Sequence, residues 1–357
     1  MIARRVATVL QARAEHAGLT ALTVQIDDER AEAVSYDELV GPVAAGDRVL
    51  VNTTAVDLGL GTGGVHFVIA VLDRAHEAVG EVDGHAMKLR YTPMQTSVLS
   101  VEESHADLIN GLATLEGMPV IVAGLHSAVA PAAIGIHAIR PDARVAFVMT
   151  DGAALMLAFS RTVPALVTSG LIHITITAGQ AVGGMHEAIT VHGALAAAKA
   201  VCEADVVIVA MGPGNLGSGT RWGSALMETA EVINAAAGMG ARPILVPRIS
   251  FADQRERHRG VSHHTRTVLE HLALARAQVA IPTLTRDRAA LVLEQLAASS
   301  SRHDMVEVDL GAAEEALVNS PVALSSMGRG LADDPDCFRA AAAAGVHGAR
   351  LLPVTSS

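Results

Sequence analysis

The 357-residue chain is half hydrophobic, 18% charged and carries a formal net charge of −11, which excludes wholesale disorder and argues against an electrostatic footprint for nucleic acid. Aromatic residues make up only 2%, too few for sugar-stacking clefts or base-stacking platforms. The length suits two domains on a scale of roughly 100–200 residues each. Residues 1–90 read as β-rich. Arg5–Ala14, Leu19–Ile26, Glu32–Leu39, Arg48–Asn52 and His66–Leu72 carry β-branched or alternating apolar residues. Turn signals separate them at Gly18, Asp27-Asp28, Gly41-Pro42 and Gly46-Asp47, a spacing that predicts a small barrel-like domain. The loop Gly59–Gly64 lies between two strands. A phosphate-binding glycine loop normally opens a helix, so this one reads as a flexible turn. The stretch Met87–Pro93 reads as a basic crossing strand, and residues 91–116 as a connection.

Mean hydropathy is +0.38, which raises the question of a membrane span. The stretch Gly117–Ile139 is long enough for the ~20 residues that a spanning helix needs. It is interrupted by Pro119, Gly124, His126, Ser127, Pro131, Gly135 and His137, and so reads as a buried strand, a turn and an Ala-rich helix. Arg4 and Arg5 supply the charge of a signal peptide, but the apolar run Val6–Leu10 is too short for one. Cys202 and Cys337 are the only cysteines, which excludes a disulfide framework and a zinc cysteine cluster. The expectation is a cytoplasmic protein with no membrane or nucleic-acid partner.

Residues 117–300 alternate between strand and helix. The strands are Pro119–Leu125, Arg144–Met149, Leu171–Thr177, Ala204–Met211, Pro243–Pro247 and Gln278–Ile281. Helices are expected near 129–139, 153–165, 186–201, 223–238, 262–276 and 285–298. This rhythm predicts an α/β domain with a doubly wound, mainly parallel sheet. Residues 301–357 read as a small C-terminal α/β addition. It holds a strand Met305–Leu310, a helix Ala312–Asn319, and a last helix capped by Asp334-Pro335 and ended by Gly345.

Ligands of open parallel sheets bind beyond the C-terminal ends of the strands, so the turns there are where chemistry belongs. The second turn carries Thr150-Asp151-Gly152. The fourth spells Gly212-x-Gly214-x-x-Gly217 after an apolar strand, the lettering of a dinucleotide fingerprint. The helix starts late, and the next strand ends in Pro247-Arg248 rather than an acid, which disfavours a dinucleotide. Exposed backbone N–H groups of Gly212, Gly214, Asn215, Gly217 and Ser218 suit an anion in general. In the fifth turn Ser262 is an N-cap, which places His263 and His264 in the first helical turn, where the positive helix end favours neutral imidazole. Arg255, Arg257 and Arg259 alternate, so an extended segment would present them on one face as an anion clamp. Asp253, His258, His263 and His264 form a ligand set that would accept zinc, manganese or iron. Asp151, His263 and His264 are the candidates for proton transfer.

The fifth turn, Ile249-Ser-Phe-Ala-Asp253-Gln-Arg255-Glu-Arg257-His258-Arg-Gly260-Val-Ser262-His263-His264-Thr265, resembles a bacterial domain-of-unknown-function family, number three-eight-six-six. So do the stretch Gly46–Gly64, Met87-Lys88-Leu-Arg90-Tyr-Thr92, Thr150-Asp151-Gly152 and Ala210-Met-Gly212-Pro-Gly214. The resemblance spans nearly the whole chain and implies no activity. The family's third turn often reads Gly-His-Ala-Phe-Gly-Gly-Asp. Here Gln180 and Met185 stand in place of the His and the Asp, which argues against a metal or acid–base role for that turn.

The reading that joins these turns is a hydrolase or transferase acting on a small phosphate or carboxylate substrate at the C-terminal edge of the sheet. A non-catalytic nucleotide or metabolite-binding protein is the alternative, since no nucleophile motif such as Gly-x-Ser-x-Gly occurs. A structural protein is a third, in which the apolar excess forms a homo-oligomer interface. An oligomer is expected in any case.

Overall fold

Five N-terminal strands close on themselves: β1 (Arg4–His16), β2 (Leu19–Ile26), β3 (Glu29–Tyr36), β4 (Arg48–Asn52) and β5 (His66–Val71). In this computed structural model, which describes residues 2–61, 63–74 and 83–353, their order is β1-β2-β3-β5-β4. Thr62 of the Gly59–Gly64 loop, residues 75–82 of the expected first domain and residues 354–357 of the C-terminal addition lie outside the described residues. All barrel pairings are antiparallel except β3 with β5. Alternate residues point inward, as the strand period of two requires. Val9, Leu22, Val24, Ala33, Val49, Val51 and Val68 fill the interior. Register shifts in β1 at Val9/Gln11 and Ala14/His16 bend it, which lets one long strand pair with both β2 and β4. The third strand ends at Tyr36 rather than Leu39, because Asp37–Val40 winds into a helical turn closed by Gly41 at φ +79°.

A hairpin of β6 (Ala86–Lys88) and β7 (Thr96–Val98) straddles the expected boundary at 90. Two short helices, Val101–Ser104 and Ala106–Gly111, follow it. The main sheet has eight parallel strands: β8 (Pro119–Ala123), β9 (Val145–Thr150), β10 (Ile174–Ala178), β11 (His186–Ala188), β12 (Val206–Met211), β13 (Arg242–Val246), β16 (Gln278–Pro282) and β17 (Asp304–Val308). The two-residue strands β14 (Ile249–Ser250) and β15 (Gly260–Val261) pair outside it. Its order is β11-β10-β9-β12-β8-β13-β16-β17. Every residue of β8, β9, β10 and β12 is buried, since helices cover both faces. The α/β doubly wound sheet and the preceding barrel are therefore both as read from the sequence.

Several local expectations change. The stretch Gly117–Ile139 is β8, a short 3-10 turn and the helix Val129–Ile139. Among the described residues no helix is long and apolar enough to cross a membrane. The helix expected from 186 begins at Val191, because His186–Ala188 pairs with β10 as β11. The helix expected over 153–165 is a 3-10 turn at Leu157–Phe159 followed by Thr162–Thr168. The C-terminal addition is continuous with the sheet: β17 is its edge strand.

The last helix runs over Pro335–Arg350, straight through Gly345. Its glycine is there for close packing rather than as a stop. A Cβ on Gly345 would sit 2.0 Å from the Ala132 carbonyl oxygen, and one on Gly135 would sit 2.2 Å from that of Ala342. The two helices thus touch backbone to backbone. Gly345→Ala is expected to lower the urea midpoint by an equivalent of about 1–3 kcal/mol through overpacking, net of the better helix propensity of alanine. Gly238→Ala, where nothing lies within 4 Å of the added carbon, is expected to be neutral or slightly stabilising. Equal midpoints for the two variants would refute the packing argument.

Candidate functional site

The strand order creates the crevice. From β8 the chain leaves through the helix Val129–Ile139 toward β9, whereas from β13 it leaves through His263–Leu272 toward β16. These two connections lie on opposite faces, one in each of the two large cores. Neighbouring strands whose chains diverge leave an opening at their C-terminal ends. A narrow cavity of about 30 Å³ sits there, lined by Gly124, Leu125, Val246, Arg248, His264 and Cys337 among others. The loop after β12 runs on to the 3-10 turn Ala225–Met227, whose Leu226 also lines this cavity.

β14 and β15 pair through Ile249↔Val261 and Ser250↔Gly260. They fold the segment Arg248–Ser262 back on itself. Ser262 then caps the next helix, accepting from the His264 N–H at 3.4 Å. This brings three imidazoles together. Ring centroids are 3.9 Å apart for His263 and His264, 5.0 Å for His258 and His263, and 5.5 Å for His258 and His264. Ring nitrogens of all three lie within 4.8 Å of one another. His258 Nδ1 meets Ser262 Oγ at 2.8 Å. Both ring nitrogens of His264 and Nε2 of His263 are buried without a hydrogen-bond partner.

Burial is the main reason these rings stay neutral. It pushes His258 down to about 3 and His264 to about 4, helped by the Arg248 guanidinium in both cases. Burial lowers His263 as well, with Arg257 the largest contributing charge. The neutral form expected from the helix end thus has a larger cause, desolvation by the surrounding chain.

Asp253, expected among the metal ligands, stands outside the cluster. Its two oxygens accept from Arg255 Nε at 2.9 Å and Nη2 at 2.7 Å, and from Arg248 Nη2 at 3.0 Å. Arg255's hydrogen bonds hold the carboxyl well below the usual range. A second buried acid, Asp334, accepts from Ser250 Oγ at 2.7 Å and Arg329 Nε at 3.1 Å. These acids pair with Arg248, Arg255 and Arg329. Arg255 is committed to Asp253 by its Nε and Nη2. The expected alternation of arginines on an extended strand is also absent, because Glu256–His258 winds into a 3-10 turn. Arg248 is buried, 7% exposed.

The glycine loop divides. No helix follows Gly217; it pairs with Ser224 across an antiparallel bridge. A Cβ on Gly217 would lie 3.8 Å from His264 Cε1, and one on Gly219 would lie 3.6 Å from Arg257 Nη2. The tip of the loop therefore faces the histidines and the exposed Arg257. Gly212 abuts the Ala154 carbonyl instead. Gly214 lines a separate cleft of about 500 Å³ against the barrel, with Tyr36, Phe67 and Phe159. Ser218 Oγ is spent inside its own turn on Thr220 Oγ1 and the Gly223 carbonyl. Asn215 Oδ1 is buried and without a partner.

Asp151 is not brought to the histidines. It follows β9, and β12 and β8 separate β9 from β13, about 14 Å at the usual strand spacing. Its carboxylate accepts from the Gln180 N–H at 2.8 Å. The acid near it is Glu228, which stands out in no sequence motif, since a glutamate in a first helical turn is an ordinary dipole partner. Thr150 Oγ1 donates to Glu228, and burial lifts the Glu228 carboxyl to about 7. The raised acid, Glu228, had no signal in local spacing and depends on what folds over it, whereas Asp253 is lowered chiefly by Arg255, two positions along.

A family model described as a protein of unknown function (DUF3866) matches residues 32–345, a span that begins in β3, ends in the last helix and includes the whole histidine cluster. No curated protein matches the chain.

Proposed function

We propose that this chain, which belongs to the DUF3866 family, is a hydrolase or transferase that acts on a small phosphate- or carboxylate-bearing substrate at the β8–β13 crevice. The observation that carries the reading is the convergence of the Gly217–Gly219 backbone, the Arg257 guanidinium and the His264 ring. Glycine positions let an anion approach backbone N–H groups closely, and an exposed arginine supplies the countercharge. Neutral imidazoles offer lone pairs, which can take a proton from water or an acceptor hydroxyl or hold an ion that activates it. Asp151 follows β9, which is separated from β13 by β12 and β8 in the sheet order, and is given no part in this step.

The test is a turnover screen with phosphomonoesters, pyrophosphate esters and carboxylate esters, paired with thermal stabilisation by the same compounds. Arg257→Ala is expected to raise KM about 10- to 100-fold, the worth of one charge-assisted hydrogen bond. His264→Gln is expected to lower kcat about 10²–10⁴-fold with KM little changed. Stabilisation without turnover favours the binding-protein reading. If neither turnover nor stabilisation is seen with any anion, the proposal is wrong.

A further inference from the structure

The three histidines pose a problem that hydrogen bonding within the protein does not solve. His264 is 4% exposed, yet neither of its ring nitrogens has a partner, and His263 Nε2 is orphaned beside it. Buried polar atoms are overwhelmingly paired, and each orphan costs about 1–3 kcal/mol. One ion bound to one nitrogen of each ring would take His263 Nε2 and one of the two on His264, with His258 completing the group.

We infer that His258, His263 and His264 together bind one divalent transition-metal ion, with zinc the best fit. The donor set is three imidazoles, and Asp253 is excluded from it by its arginines. Imidazole suits zinc, copper, nickel or cobalt and is a poor set for magnesium or calcium. Three histidines with a fourth position open is an arrangement that supports catalysis rather than structure alone. The Ser262 hydroxyl against His258 Nδ1 at 2.8 Å fixes that ring, the service that outer-shell partners perform at metal sites. A tetrahedral ion with bonds near 2.1 Å needs nitrogens about 3.4 Å apart. The candidate nitrogens lie within 4.8 Å of one another, within reach of one ion after small movements of the rings.

The surroundings add a consequence. Arg248 Nη1 lies 3.3 Å from His258 Nδ1, and Arg257 faces the loop over His264. These cations oppose a bare metal ion and welcome an anion on its open position. Metal and anion should therefore bind with positive coupling, each tightening the other by the same factor. The bound ion would polarise a substrate oxygen or lower the pKa of a water. That role in turnover rests on the proposed function; metal binding itself does not.

The experiment uses the full chain freed of metal by chelator. Zinc and cobalt(II) are titrated separately, with and without inorganic phosphate, by calorimetry and elemental analysis, and cobalt by its visible spectrum. One ion per chain is expected, with imidazole-type cobalt bands and affinity raised at least 5-fold by phosphate. His263→Ala and His264→Gln, each checked for folding by circular dichroism, should lower affinity at least 100-fold. His192→Ala, an exposed histidine elsewhere, should leave it unchanged. Substoichiometric metal at micromolar free zinc, or affinity indifferent to His263→Ala, overturns the inference. Turnover that survives chelation removes the metal from the reaction and spares the proposed function; metal bound at one per chain with no anion turned over keeps the metal site and overturns the proposed reaction.

Discussion

Lys88→Met is expected to cost about 3–5 kcal/mol of folding stability, the usual penalty for removing one member of a buried ion pair. Lys88 comes from the β6–β7 hairpin and is 1% exposed. Its Nζ donates to the carbonyls of Ala181 at 2.9 Å, Ala188 at 3.0 Å and Thr177 at 3.3 Å, and pairs with Glu187 Oε2 at 3.1 Å. One ammonium thus ties β10, the turn after it and β11 into a unit. Burial pulls its pKa down, and the Glu187 carboxylate opposes that pull. Methionine fills the space but leaves the Glu187 carboxylate without its ammonium partner and three carbonyls without their donor. The measurement is urea unfolding at pH 7, with the midpoint falling and the slope unchanged. Adding Glu187→Gln to the first change should recover part of the loss, because the stranded charge is gone. A single variant within 1 kcal/mol of the parent would show that water reaches this site and satisfies it.

Glu228→Gln should reshape the pH dependence of stability. A carboxyl whose folded pKa is raised favours the protonated form in the folded state. Its contribution is complete below the unfolded value near 4.5 and is lost as pH rises through about 7. Burial is the main cause, and Asp151 and Glu231 add repulsion while Thr150 donates in the opposite sense. The shift corresponds to about 3 kcal/mol between the two limits. The parent should therefore weaken from pH 4.5 to 8 by that amount beyond its other titrations. Glutamine keeps the shape and cannot ionise. The variant should match the parent near pH 4.5 and exceed it by about 3 kcal/mol at pH 8. A difference that stays constant across the range would mean that Glu228 is solvated and ordinary.

The strand–helix rhythm after residue 117 was readable because both faces of the sheet are covered, which makes β8, β9, β10 and β12 continuously apolar. The barrel was readable because one inner face imposes a period of two. Short elements were not. His186–Ala188 carries no strand pattern of its own and becomes one by pairing with β10. Gly345 has the composition of a helix stop, and only the neighbouring Ala132 backbone explains why the helix continues through it.

The candidate site divides along the same line. His258, His263 and His264 were legible because they sit within seven positions of one another, and Ser262 is a cap by residue type alone. Asp253 was equally visible as a carboxylate, but its partners Arg248 and Arg329 are brought in by β14–β15 pairing and by a segment more than seventy positions away. Asp151 carried the right chemistry in the right kind of turn and was still placed two strands from the histidines. Residue type and local spacing determined by themselves which layers would form and which side chains could do chemistry. Which of those side chains share one crevice, and whether a charge there is free or already paired, depended on strand order and burial. Those are set by contacts between distant segments, which local sequence does not encode.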